Sequence, residues 1–295
     1  MRVLAALILA TLFQGRTLYE DPTRSIRVYG YTQAEGGTLE NGDFEFTMRG
    51  NPAVVESKLE GMSISSPAMS GVVAAATPST RGFIRTLEVQ GGGMVTLDNA
   101  TAYQAQVDQA RRLGTPVPAA PTANDVSTIK SERFAYSGGA TQGTLSIPQS
   151  FSVESKSAGK TGDKTFEQTM TAQGSQAVLQ LDPAAVGAVP LRSGTITGPV
   201  TLKINRSETQ PGTTQPTLSE LNGVADNVEI DLSSARTITL RGNVKVSGFS
   251  GLYQGTSEGD VVVVTLDDAM KPIRIRVTGE PTKSTLRERK PGGSK

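Results

Sequence analysis

The sequence predicts an all-β protein of antiparallel strands, and three observations carry that prediction. Short apolar or alternating runs separated by Gly, Pro, Asn and Asp recur from the N-terminal segment to residue 282. Several alternate with period two: Val228, Ile230 and Leu232 with Glu229 and Asp231; Val200, Leu202 and Ile204 with Thr201 and Lys203; Ile273, Ile275 and Val277 with Arg274 and Arg276. Composition agrees, since 34 Thr favour strands while 26 Ser and 32 Gly favour the turns between them. One apolar and one wet face per strand suits sheets whose inner faces meet, or one sheet folded over on itself, because parallel sheets need both faces apolar. Only Val261 to Val264 is apolar on both faces.

Taken in order, residues 1–15 place Arg2 ahead of an uncharged apolar run from Val3 to Phe13, the layout of a secretory signal. As a helix that run spans roughly 16 Å, about half of the ~30 Å hydrocarbon core, so a signal peptide is physically easier than a transmembrane anchor. No small-x-small triplet precedes Arg16, which keeps an uncleaved inner-membrane tether in play. With 0 Cys in the chain, export without disulfides points to a bacterial periplasm.

The stretch Ala100 to Leu113 breaks the β rhythm: it is rich in helix formers and stops at Gly114 before Pro116, Pro118 and Pro121, which predicts one short helix and a linker. The expected organisation is an N-terminal β module over 16–115, a Pro/Ala-rich linker over 116–127, a C-terminal β module over 128–282 and a basic flexible tail over 283–295. Thr209 to Thr217 reads as a long hairpin loop. An internal repeat supports two related modules. T-x-R-G-N-x-x-V occurs at Thr47 to Val54 and at Thr239 to Val246, and V-T-L-D-x-A at Val95 to Ala100 and at Val264 to Ala269. The motifs keep their order, but their spacing differs by loops or extra strands inserted in the first copy.

With 0 Cys, 0 His and 0 Trp, the chain has no thiolate or imidazole chemistry: Cys nucleophiles, His acid/base schemes and the usual zinc sites are excluded. A net charge of +1 leaves no electrostatic footprint for nucleic acid. Ser157 to Gly162 imitates a phosphate loop, but Glu154 stands where the first glycine of that loop belongs, and a carboxylate there repels phosphate. The same residues overlap S-x-x-K and K-T-G in one turn, where they cannot face each other across a substrate, so a solvated hairpin tip is expected. Gly91 to Gly93 lacks dinucleotide spacing and reads as a sheet bulge; Asp98 and Asp267 read as turn closers. No cofactor and no metal site is expected. A carbohydrate-active enzyme would need two carboxylates roughly 5 to 9.5 Å apart in a cleft.

The segment Gly242-Asn243-Val244-Lys245-Val246, then Val261 to Asp267, then Ile273-Arg274-Ile275-Arg276-Val277-Thr278-Gly279-Glu280-Pro281 resembles the OstA-like lipopolysaccharide-transport family, whose members include the LptA- and LptC-like periplasmic proteins. The likeness covers about residues 221 to 282. It implies an open β-jelly-roll, an apolar groove that shields acyl chains, and stacking through exposed edge strands onto other β-jelly-roll components in a bridge across the periplasm. The middle region from Thr128 to Asn222 departs from the pattern.

The combined expectation is a non-enzymatic periplasmic protein that carries lipopolysaccharide or another acylated envelope lipid in an apolar groove. The candidate groove residues are Leu240, Val244, Val246, Val262, Val264, Leu266, Ile273, Ile275 and Val277, with Val54, Leu59 and Ile64 in the first module. Arg274 and Arg276 are candidate phosphate donors at its rim. The rival is an exported structural or adhesive β-sandwich whose aliphatic faces form a filled core with no lipid.

Overall fold

Strand and helix formers segregate as expected in the computed structural model, which describes residues 17–288 apart from 22, 24, 77–81, 140, 183–190, 214, 252, 268–269 and 281. The expected export segment at 1–15 and the end of the basic tail, 289–295, lie outside the described residues, as do the last two positions of the second V-T-L-D-x-A motif. The architecture is all-β and antiparallel with one helix. No described helix is long and apolar enough to cross a membrane.

In chain order the elements are β1 (Thr17–Glu20), β2 (Ile26–Thr38), β3 (Phe44–Ser57), β4 (Met62–Ala74), β5 (Phe83–Asp98), α1 (Asn99–Leu113), β6 (Ala123–Gly138), β7 (Gly143–Ile147), β8 (Phe151–Thr161), β9 (Lys164–Gly174), β10 (Gln176–Leu181), β11 (Leu191–Thr209), β12 (Thr217–Asp231), β13 (Thr237–Ser250), β14 (Tyr253–Leu266), β15 (Pro272–Thr278) and β16 (Lys283–Glu288). Two compact units emerge, but not at the expected cut. The first comprises residues 1–121, 127–149 and 180–190, and the second 122–126, 150–179 and 191–295. Residues 115–121 are irregular, as a Pro-rich linker should be, yet β6 begins at Ala123, inside the expected linker. Strand pairing between distant segments sets the division here, and linker composition does not.

The first unit is a meander in which β1 to β5 each pair with the next, followed by the β6–β7 hairpin. Its inner face is filled: Ile26, Val28, Phe46, Met48, Val55, Ile64, Ile84, Leu87 and Phe134 are all fully buried. The helix that follows β5 is set by local chemistry. Asp98 caps its start by accepting from the Ala100 and Thr101 amides at 2.9 and 3.2 Å, and Gly114 ends it in the left-handed region at φ 66°. Ala102, Val107 and Ala110 are its buried face.

In the second unit β8 pairs with β9, β9 with the second half of β11, and β11 to β14 follow one another. Both hairpins are present, but Ser157 to Thr161, expected as a solvated tip, pair with β9 as part of β8 and only Gly162 and Asp163 turn the chain, while residues 210–216 join β11 to β12 as expected. The edge of β14 is shared, with β15 along its second half and β16 along its first. Residues 283–288, expected as flexible tail, are therefore a strand. Ser284 and Thr285 face Ser257 and Thr256 across the β14–β16 ladder with hydroxyl contacts of 3.1 and 2.8 Å.

Strands β2 to β5 and β11 to β13 each carry a corner of their own. In the second unit the register shifts between Thr197 and Val200, between Val224 and Asn227, and between Arg241 and Val244, and β14 passes from β16 to β15 at the same level. Two residues on β11 or β13 stand against one on the neighbouring strand, the count of a β-bulge, and the sheet bends along the resulting line. The bend brings the two leaves face to face: a side chain at Gly223, before the corner, would meet Leu240 Cδ2, after it, at 2.9 Å. Glycines at positive φ and carboxylates alternate along this crease. Gly242 (φ 72°) and Asn243 (φ 48°) turn β13, while Asp226 of β12 accepts from Asn243 Nδ2 at 2.8 Å.

The T-x-R-G-N repeat is the crease itself. Arg49-Gly50-Asn51 lies at the β3 register shift as Arg241-Gly242-Asn243 lies at that of β13. The backbone solution differs, since the first copy contains a cis Asn51–Pro52 bond and the second the positive-φ Gly242–Asn243 pair. The unequal spacing of the two motifs has a simple origin: β4 stands between them in the first unit, whereas β13 and β14 are consecutive in the second. Gly91 (φ 78°) and Gly92 (φ 95°) mark the corner of β5, the bulge expected for the triple glycine.

Candidate functional site

Following the inner faces from strand to strand shows where the core is closed and where it opens. Val262 and Val264 of β14 are 0% and 1% exposed. Their direct partners on β15 are Val277 and Ile275, and directly opposed residues of a ladder share a face. The apolar row therefore runs on into β15, yet Ile273 and Ile275 are 61% and 45% exposed. On the other leaf the middle of each inward row past the crease is small: Gly248 and Gly255 stand between Leu221 and Leu286, and Ser257 and Ser284 follow Val246.

Small residues midway along one wall and aliphatic ones on the other leave an open trough of about 670 Å³ within the second unit. Ile273, Ile275 and Val277 line one side; Val246, Gly248, Gly255, Ser257 and Leu286 line the other. Volume-filling at these wall positions would erase it, as Gly223 against Leu240 shows where the leaves close.

The expected groove residues thus separate. Val246, Ile273, Ile275 and Val277 line the trough. Leu240, Val244, Val262, Val264 and Leu266 belong to the closed core beside it, buried with Leu202 and Val228. In the first unit Ile64 is core, and Val54 lies out of phase with the buried Ala53 and Val55, on the outer face. Leu59 is buried beside a separate polar cavity of about 320 Å³ under α1, which is lined also by Lys58, Asp108 and Arg112. Arg274 and Arg276 are exposed on β15; only Arg274 borders the trough.

One part of the site was not anticipated. Val200, Leu202 and Ile204 point inward from β11, and the same phase continues into Arg206 and Glu208. Arg206 is 3% exposed and lines the trough with Lys271. Its guanidinium lies 4.0 Å from the centre of the Phe166 ring, its Nε donates to Glu208 Oε1 at 2.9 Å, and its Nη1 donates to Gln168 Oε1 at 3.1 Å. Lys271 Nζ reaches the same carboxylate at 2.9 Å to Oε1 and 3.1 Å to Oε2. Burial raises the Glu208 pKa, but the hydrogen bonds from Lys271 and Arg206 outweigh it and hold the carboxyl below its ordinary value. Two cations thus meet at one carboxylate at this end of the trough. Glu220 also borders the trough, with its carboxylate tied to Lys203 at 3.4 Å and to Asn222 at 2.6 Å. The signal for this cluster was present in the sequence: an Arg and a Glu on the apolar phase of a strand must meet each other or another partner inside.

Among the described residues no group of three or more Asp and Glu is placed to hold a metal ion. No family model, no curated protein and no solved structure matches the chain.

Proposed function

We propose that this protein is an exported carrier of an acylated envelope lipid, which holds an acyl chain in the trough of its second unit and releases it chemically unchanged. The observation that carries this reading is the uncovered aliphatic row Ile273, Ile275 and Val277 across an open trough from Val246, Gly248, Gly255, Ser257 and Leu286. A row of that kind is stabilised when something apolar covers it. About ten methylenes withdrawn from water contribute roughly 8 kcal/mol. Association costs on the order of 4–15 kcal/mol, so one chain binds weakly enough to be handed on. The export-like segment at residues 1–15 and the resemblance at Gly242 to Pro281 to periplasmic lipid-transport proteins support the same reading. The β15–β16 edge, bearing exposed Ile273 and Leu286, is the surface on which another β-jelly-roll component would add a strand.

The test is native mass spectrometry of protein extracted from cells without denaturant, paired with displacement of a fluorescent acyl probe. A copurifying acylated lipid is expected, together with probe binding that Ser257→Phe abolishes by filling the trough. A clean apoprotein that leaves the probe free would overturn the proposal. A second reading, an exported structural or adhesive protein, is favoured by the filled interior of the first unit, and that outcome would point to it.

A further inference from the structure

We infer that the trough selects an anionic amphiphile with one long or two short acyl chains, its acid group seated against Lys271. This rests on the trough being a lipid site and adds what the lipid must be. A cavity of about 150 Å³ takes a benzene ring, so by the same ratio 670 Å³ takes roughly 27 carbons. That covers the tail of a fatty acid or a lysophospholipid, whereas a glycolipid with many chains would leave most of them outside the trough.

The charge is equally specific. Arg206 and Lys271 border the trough while one carboxylate, Glu208, serves both, and Glu220 is matched by Lys203. Among the residues that border the trough Arg206, Lys271 and Arg274 stand against Glu220, an excess of positive charge that an anionic head group offsets and that a neutral or cationic one does not. Lys271 is the group able to reach a ligand, since its side chain is partly exposed whereas the Arg206 side chain is buried. The apolar row from Ile273 to Val277 begins two residues beyond Lys271, so a head group held there lays its tail along that row.

The full chain is titrated with laurate, dodecanol and dodecyltrimethylammonium by calorimetry and by displacement of an acyl probe. A hydrogen bond to a charged group is worth enough that laurate should bind about tenfold or more tightly than dodecanol. Dodecyltrimethylammonium should bind most weakly, and added salt should weaken laurate alone. Lys271→Gln can keep a hydrogen bond to Glu208 and should remove most of the laurate preference while leaving dodecanol within about twofold. Arg241→Gln, which pairs with Glu229 and does not line the trough, should leave both ligands unchanged. Equal binding of laurate and dodecanol would overturn the anion assignment and leave the lipid reading standing. Failure of all three ligands and of the acyl probe would end both. Loss of the laurate preference in Arg274→Gln but not in Lys271→Gln would overturn the placement of the head group.

Discussion

Replacing Gly242 by Ala tests whether the crease depends on each corner being built as described. The φ of 72° is one that an L side chain adopts at a cost of about 1–2 kcal/mol. An added Cβ would also stand 2.5 Å from Asp226 Oδ2 and 3.1 Å from Asp226 Cβ, so that carboxylate must swing away. Its hydrogen bond from Asn243 Nδ2 is then lost, which costs about 0.5–1.5 kcal/mol more. The expected destabilisation is about 2–3 kcal/mol, enough to lower a urea midpoint by about 1 M or more. Gly162→Ala is the control, because its φ is 59° while nothing lies within 4 Å of the added carbon; it should show the conformational cost alone, about 1–2 kcal/mol. Hydrogen exchange of β12 to β14 peptides along a urea series reads the second unit directly. In the background Asp226→Ala, the substitution at Gly242 should cost about 1 kcal/mol less than in the parent, a coupling that a double-mutant cycle detects. If Gly242→Ala costs no more than Gly162→Ala, or if the effects at 226 and 242 simply add, the account of the corner is wrong.

The division of the aliphatic row predicts unequal truncations. Leu240→Ala, in the closed core, should cost about 2–5 kcal/mol, while Ile275→Ala should cost under about 1 kcal/mol and weaken acyl-probe binding, as chemical denaturation and probe titration would show. Because the folded-state pKa of Glu208 is depressed, its contribution is fully present above the ordinary value of 4.5 and is lost as pH falls through the folded value. The urea midpoint of β9 and β11 exchange should accordingly drop over that acid range, and Glu208→Gln should flatten the drop. Removal of the helix cap in Asp98→Ala should cost roughly 0.5–2 kcal/mol, seen as faster exchange in the first turn of α1.

Much of this molecule is written in short-range pattern. Alternation at Val200 to Ile204 places its strand face correctly, and the helix is legible to its stop at Gly114, whereas Asp98, expected to close a turn, caps the helix instead. The repeat was visible too, although its meaning as a bend was not, since a bulge shows itself only against the strand beside it. What alternation does not contain is the identity of the opposite wall. Leu240 and Ile275 are equivalent in the sequence; one faces Gly223 and Leu202 across a narrow gap, the other faces the space left by Gly255 and Ser257. Composition misled for Lys283 to Glu288, where charge suggested solvent but the free edge of β14 offered backbone partners. It misled again at residues 116–127, because membership of a unit is decided by distant pairing.

Since β2 to β5 and β11 to β13 each bring their own corner, adding a length of chain that begins and ends at the turns leaves the neighbouring corners undisturbed. The extra β4 between the repeated motifs of the first unit is an insertion of that size. Change in such an architecture comes in whole rungs: a gained or lost single residue would put one side chain row on the wrong face, whereas a complete up-or-down run merely widens the ribbon. Width, in turn, decides how far the last aliphatic row extends past its covering, so capacity for a guest can grow or vanish without altering any contact already made.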